Sequence, residues 1–329
     1  MIEVAVFGAG RIGKIHAANV AAHPGARLRY VVDVHAPSAQ ALADMHGARV
    51  AGVEEALADP AIGAVVIGSS TDTHADLLLR SAAAGKAIFC EKPVDLDIAR
   101  ARECAAAVEA AGVTCMIGFQ RRFDPTFSAL KRRLDEGEIG TPEVLVVTSR
   151  DPGAPPVEYL KGSGGIFKDM LIHDFDIFRW ILDDEAVSIH ATGSCLSDPA
   201  IAEAGDIDTT AVTIRTRKGR ICQINTSRRA AYGYDQRFEV LGSAGMLQCG
   251  NHRPSEVVQS DAKGVRADTP ENFFLQRYRE AYRLEITHFF ESLQSGAPFR
   301  TSIADGVAAQ KLADAAALSL QSGQVVKLS

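Results

Sequence analysis

The sequence predicts an α/β first part, built on a parallel sheet, followed by an α+β second part whose sheet is mostly antiparallel. Three observations predict this. Short, continuously apolar runs alternate with Ala- and Leu-rich stretches of helical length over the first ~120 residues. After Asp124 the runs change to apolar/polar alternation around short turns. The length, 329 residues, accommodates about two domains at ~100–200 residues each.

Taken in order, residues 2–7, 28–32, 64–67, 87–90 and 113–117 read as strands. Their unbroken apolarity suits strands buried on both faces. Residues 75–84 and 97–111 read as crossover helices, each stopped by a glycine, Gly85 and Gly112. Residues 166–182 carry one long helical pattern. Residues 209–216 and 220–226 then alternate around Lys218-Gly219 as an antiparallel hairpin. Residues 237–241 and 246–248 form another, joined through Gly242-Ser243-Ala244-Gly245. Two further helices follow at 276–293 and 303–318. The division is placed at 1–123 and 124–329, with the C-terminal helices expected to return to the first part.

Composition limits the function classes. There are 35 Lys+Arg against 41 Asp+Glu, a net charge of −6, with 47% hydrophobic and 23% charged residues. These are globular proportions, which exclude disorder and fibrous repeats. Mild acidity with no basic cluster argues against a nucleic-acid partner. The six cysteines (Cys90, Cys104, Cys115, Cys195, Cys222, Cys249) form no C-x-x-C pair. Neither a zinc site nor a redox dithiol is expected from them. No apolar stretch approaches the ~20 residues of a membrane span. The N-terminus enters a strand directly with no basic leader, so a cytoplasmic protein is expected.

The opening strand leads into VAVFGAGRIG, residues 4–13, a G-x-G-x-x-G turn entering a helix. Gly8 permits the tight turn, Gly10 lets the backbone approach a pyrophosphate, and Gly13 lets helix and strand pack closely. The helix start, Arg11 and Ile12, supplies N–H donors and a positive dipole end. Asp33 closes the next strand, 20 positions after Gly13, where a carboxylate receives the ribose hydroxyls of a dinucleotide. A carboxylate there repels a 2′-phosphate, and Val34 and His35 offer no arginine or lysine to bind one. NAD is favoured over NADP.

Two places offer proton chemistry. Glu91-Lys92-Pro93 follows an apolar strand directly, and ligands of open parallel sheets sit beyond the carboxyl ends of strands. Alone, this tripeptide would be read as a solvated strand-end lysine rather than a catalytic one. In the 166–182 helix, at about 100° per residue, Asp169, His173 and Asp176 fall within about 60° of one another. Leu171, Phe175, Phe178 and Leu182 take the opposite side. An Asp and a His four apart can share a hydrogen bond that orients the imidazole. The pattern by itself also suits a solvated face, a core histidine or metal ligands. A metal is not expected, since no further His/Cys set accompanies these residues.

Together with Ser69-Ser70-Thr71-Asp72-Thr73-His74 and Gly118-Phe119-Gln120-Arg121-Arg122-Phe123-Asp124, these motifs resemble the Gfo/Idh/MocA oxidoreductases. Tyr159-Leu160-Lys161, Gly205-Asp206-Ile207-Asp208-Thr209, Tyr232-Gly233-Tyr234-Asp235-Gln236-Arg237 and Ala281-Tyr282-Arg283 resemble its inositol 2-dehydrogenase subgroup. The resemblance implies a Rossmann domain followed by a domain with an open-faced sheet, often assembled into homotetramers through that sheet. It implies that Lys92, Asp169 and His173 match the family's catalytic lysine, aspartate and histidine. It also implies that Ser69, Thr71, His74, Glu91 and Lys92 lie with the cofactor, and that Arg121, Asp151, Asp169, His173 and Tyr234 line a polyol pocket. Gln120 and Lys168 depart from the residues commoner in relatives, and His252 has no assigned role.

The reaction the resemblance implies is NAD-dependent oxidation of one secondary hydroxyl of myo- or scyllo-inositol to the ketone. His173, oriented by Asp169, would be the general base, and Lys92 would hydrogen-bond the developing alkoxide. Two other readings remain open from sequence. One is a sugar dehydrogenase of the same fold acting on a pyranose; the other is a non-catalytic NAD-sensing regulator.

Overall fold

The computed structural model describes residues 1–328. The chain divides into two units, Met1–Phe123 with Glu280–Gln310, and Asp124–Arg279 with the chain from Lys311 onward.

In the first unit, strands β1 (Ile2–Phe7), β2 (Ala26–Val32), β3 (Arg49–Val50), β4 (Ile62–Ile67), β5 (Ala87–Glu91) and β6 (Cys115–Gly118) pair in the order β3-β2-β1-β4-β5-β6. Every pairing is parallel. Helices α1 (Arg11–Ala22), α2 (Ala36–His46), α3 (Val53–Ala58), α4 (His74–Ala83) and α5 (Ile98–Ala111) make the crossovers. The order reverses between β1 and β4, the switch point beside which open α/β sheets bind their ligands. Asp97 caps α5 by accepting from Ala99 N, and Gly112 ends it in the left-handed region at φ +63°.

The core of this unit gathers Val4, Val6, Val31, Val66 and Phe89 with Ile286, Phe289 and Phe290 of a later helix. Phe289 meets Phe89 edge-on at 5.8 Å and Phe290 at 5.2 Å. Burying each such ring stabilises the fold by about 1.5–3 kcal/mol. The apolar stripe of residues 280–295 is therefore satisfied within the first unit.

The second unit begins with α6 (Pro125–Asp135), β7 (Pro142–Arg150), α7 (Val157–Gly162), α8 (Gly165–Asp169) and α9 (Ile172–Leu182). Then come β8 (Ala186–Ser194), α10 (Pro199–Glu203), β9 (Thr209–Thr216), β10 (Ile221–Ser227), β11 (Asp235–Gly242) and β12 (Gly245–Cys249). A small hairpin of β13 (Val258–Asp261) and β14 (Gly264–Ala267) and the short α11 (Phe274–Arg277) complete the stretch. Helices α12 (Arg279–Ser295) and α13 (Ile303–Ser322) and strand β15 (Val326–Lys327) close the chain.

The main sheet runs β12-β11-β7-β10-β9-β8-β15. Both expected hairpins are present, β9/β10 and β11/β12. The sheet is mixed at one pair only, β7 and β10, which are parallel. Strand β9 alternates buried and exposed residues along most of its length, and Val212, Ile214, Cys222, Ile224, Phe238 and Val240 are buried on one face of the sheet.

Two helices differ from the sequence expectation. The 276–293 pattern breaks at Tyr278 into α11 and α12. The 166–182 pattern divides into α8 and α9. At that junction Met170 and Leu171 keep helical torsions, but Leu171 N bonds Ile166 O at 3.1 Å, an i→i−5 step. Such one-residue π-type bulges recur at functional sites. Rotations counted along an unbroken helix therefore do not apply to Asp169 and His173. Nor does α9 present a polar face at Asp176, which is fully buried together with Asp174.

Candidate functional site

In the first unit the glycine turn is built as the residue types require. Gly8 has φ +105°, and a Cβ on it would fall 2.6 Å from Gly68 O. A Cβ on Gly13 would fall 1.9 Å from Gly8 O, so only glycine lets α1 approach the turn. Gly10 differs. It is the N-cap of α1, has ordinary torsions (φ −73°, ψ −165°), and a Cβ there would meet nothing within 4 Å. Packing inside the protein does not demand glycine at position 10. Gly10 supplies no side-chain acceptor to the first amides of α1, whose first turn holds no acidic residue. That is a cradle for an anion such as a pyrophosphate.

Asp33 stands one residue past β2. Its Oδ2 accepts from Ala9 N at 2.6 Å and its Oδ1 from His35 N at 2.7 Å, so the carboxylate is fixed to the glycine turn. Val34 is fully exposed, and no lysine or arginine occurs in residues 34–38. These features fit NAD: the α1 amides and Gly10 for the pyrophosphate, Asp33 for the ribose hydroxyls.

The loops after β4 and β5 are tied together. His74, buried at the start of α4, places Nδ1 2.8 Å from Pro93 O and Nε2 3.2 Å from Ser69 O. Ser69 and Thr73 share a hydroxyl hydrogen bond at 2.6 Å, and Thr71 opens the intervening 3-10 turn. Lys92 follows β5 directly, half-buried, and joins Pro93 through a cis peptide bond. Glu91 is turned away from the loop. Its carboxylate meets buried His16 of α1 at 2.6 Å, and a Cβ on Gly118 would come within 3.0 Å of it. Glu91 therefore braces β5 against α1. Arg121 lies 3% exposed on the 3-10 turn after β6.

In the second unit the ends of three strands converge. Arg150 pairs with Ser227 and with Asp235, so Asp151, Arg228 and Tyr234, the flanking residues, come to the same end of the sheet. Asp151 N donates to Ser227 O at 2.9 Å. Tyr234 is 6% exposed and packs edge-on against Tyr278 at 5.9 Å. Asp169, the last residue of α8, accepts from Tyr159 Oη at 2.9 Å and from Arg228 Nη1 at 2.9 Å. His173, half-buried, stands in the first turn of α9. Lys168 is anchored by an ion pair to Asp314 at 2.7 Å, and His252 by a hydrogen bond to Thr126 at 2.9 Å. Among the described residues, no group of three or more His, Cys, Asp or Glu is placed to hold a metal ion. No helix of the described residues is long and apolar enough to cross a membrane.

Two contributors were not singled out as site residues from the sequence. His16 lies in α1 beyond the glycine turn, with no motif in the sequence to mark it. Arg228 follows a strand end in an Arg-Arg pair that reads as solvated charge.

Comparison with known proteins agrees with this geometry. Residues 2–119 match the oxidoreductase family with an NAD-binding Rossmann fold, and residues 127–248 match the GFO/IDH/MocA C-terminal domain. An inositol 2-dehydrogenase of Rhizobium meliloti is 46% identical over 100% of this chain and 99% of its own. The crystal structure of a myo-inositol dehydrogenase from Corynebacterium glutamicum is 43% identical, with TM-score 0.96 over 100% of this chain and 99% of that one. A scyllo-inositol dehydrogenase of Lactobacillus casei, crystallised with NAD(H) and scyllo-inositol, is 27% identical, with TM-score 0.93 over 99% of each chain. The chain belongs to the GFO/IDH/MocA family of oxidoreductases and carries that family's NAD-binding Rossmann fold.

Proposed function

We propose that this protein oxidises one secondary hydroxyl of a cyclic polyol, myo- or scyllo-inositol, to the ketone with NAD as the oxidant. The observation that carries this reading is its full-length likeness to inositol dehydrogenases. The first unit is the NAD-binding part and contributes Lys92 and Arg121 to the polyol; residues 124–279 supply the remaining polyol contacts. NAD, when bound, supplies the acceptor for the hydrogen and electron pair that leave carbon.

The chain's own residues do the rest. His173, oriented by Asp169, takes the hydroxyl proton as general base. Lys92 donates a hydrogen bond to the same oxygen as it becomes an alkoxide, where a fixed donor is worth most. Arg121, Asp151 and Tyr234 hold the other hydroxyls of the ring. Asp33, followed by no lysine or arginine in residues 34–38, selects NAD over NADP.

A homotetramer is supported by the second sheet's open face. Met246, Leu241, Val144 and Ile221 align across four strands there as an apolar row. Ile221, Leu241 and Met246 are 41%, 44% and 49% exposed. A cytoplasmic location is supported by six cysteines without a disulfide.

The roles are tested by His173→Ala and Lys92→Ala. General-base catalysis contributes about 10²–10⁴-fold, so His173→Ala is expected to lose that much in kcat while NAD affinity holds. Near-normal turnover in both variants would refute the assignment.

A further inference from the structure

We propose that Arg228 is the positioning residue that fixes Asp169 for the reaction, an inference that rests on the polyol-oxidation reading above. Arg228 follows β10, and its amide donates to Asp208 O at 2.8 Å, which sets where its side chain starts. That side chain is 1% exposed. Its Nη1 donates to Asp169 Oδ2 at 2.9 Å and its Nη2 to Asp206 Oδ2 at 3.3 Å. Asp206 uses its other oxygen to accept from Ile166 N at 3.0 Å.

The two carboxylates thus hold opposite ends of α8. Asp206 satisfies an amide of its first turn, Asp169 is its last residue, and one guanidinium spans both. A helix of five residues has almost no cooperative stability of its own, so its ends must be fixed from outside. Arginine suits this task. Its planar fork fixes direction as well as charge, which a lysine ammonium does not. Tyr159 Oη holds the remaining oxygen of Asp169, so both carboxylate oxygens are set before substrate arrives.

The charge arrangement points the same way. One buried cation stands between two carboxylates whose side chains are only 13% and 10% exposed. Without it two negative groups would share a poorly solvated site. Arg228 touches neither cofactor nor substrate in this account. It acts through Asp169, at the bulge that leads to His173.

The test is a double-mutant cycle with NAD and inositol as substrates. Arg228→Met is expected to lower kcat by ~10- to 100-fold, the loss of a charge-assisted bond to a working group. In an Asp169→Asn background the same change is expected to lower kcat no further, because the residue it acts through is already disabled. NAD affinity, measured by titration, is expected to stay within about twofold of wild type, showing an intact first unit. If Arg228→Met does not fold, Arg228→Lys runs the same cycle, with a smaller loss that again vanishes beside Asp169→Asn. An undiminished loss in the Asp169→Asn background, or wild-type kcat in Arg228→Met, overturns the role of Arg228. Absence of polyol turnover in the wild-type enzyme would instead count against the functional reading itself.

Discussion

Gly10→Ala separates the two reasons for which a phosphate-binding turn holds glycine. The new methyl would meet no protein atom within 4 Å, and φ −73°, ψ −165° is open to any residue. For the folded protein two small effects offset. Alanine is a poorer N-cap than glycine by roughly 0.5–1 kcal/mol. It also restricts the unfolded chain, which returns roughly 0.4–1 kcal/mol. The cofactor-free protein should therefore melt within about 2 °C of wild type. NAD binding should not survive so well. A methyl extends ~1.5 Å from the Cα, into space that an amide-to-phosphate hydrogen bond of ~2.9 Å leaves no room for. Losing one such bond to a charged group, about 1.5–3 kcal/mol, weakens NAD by ~10- to 150-fold.

Gly13→Ala is the contrasting control. Its Cβ would stand 1.9 Å from Gly8 O, so α1 and the turn must move apart. Overpacking of that kind costs about 1–3 kcal/mol or more, and the cofactor-free protein should lose stability along with NAD affinity. Thermal melts without NAD and calorimetric titration with it read both quantities. Wild-type NAD binding by Gly10→Ala, or a stability loss in it as large as that of Gly13→Ala, would overturn this assignment of Gly10.

Asp33→Asn keeps an acceptor for Ala9 N but drops the charge; the ratio of kcat/KM for NAD over NADP should fall by roughly tenfold, and an unchanged ratio would contradict the assignment. Asp208 is a structural counterpart. Burial pushes its carboxyl up, but hydrogen bonds from Leu196 N, Ser197 N, Thr209 Oγ1 and Cys195 Sγ overcome this and bring it down to about 2. A depressed value contributes stability above the ordinary range near 4, lost as pH falls towards 2. The difference is worth about 2 kcal/mol. Urea melts of Asp208→Asn should show that loss at pH 7 and a flatter decline from pH 4 to 2; an identical pH dependence in variant and wild type would contradict it.

The first unit was readable because crossover helices bury both faces of its sheet, which leaves unbroken apolar runs such as 64–67. Among its strands only β3 escaped, since two residues, Arg49 and Val50, carry no pattern. In the second unit the hairpins were readable from their turns. The β7–β10 pairing was not, because parallel strands about 75 residues apart leave no turn between them. The site divides along the same line. The glycines, Asp33 and Lys92 sit at fixed offsets from strand ends, and offsets survive in sequence. The Asp169/His173 spacing was visible, but nothing in residue types marks the i→i−5 bond between Leu171 and Ile166. Arg228 was invisible as a site residue. Its partners lie 59 and 22 positions away, and a buried ion-paired arginine looks the same in sequence as a solvated one.

Hydrogen transfer from a ring hydroxyl to NAD by this chain is tested by mixing the purified protein with NAD and, separately, myo-inositol, scyllo-inositol and a set of pyranoses, and following the absorbance of reduced cofactor. NAD reduction is expected with an inositol at a higher kcat/KM than with any pyranose. Reduction with pyranoses alone, or with none of the polyols while NAD still binds, would contradict it.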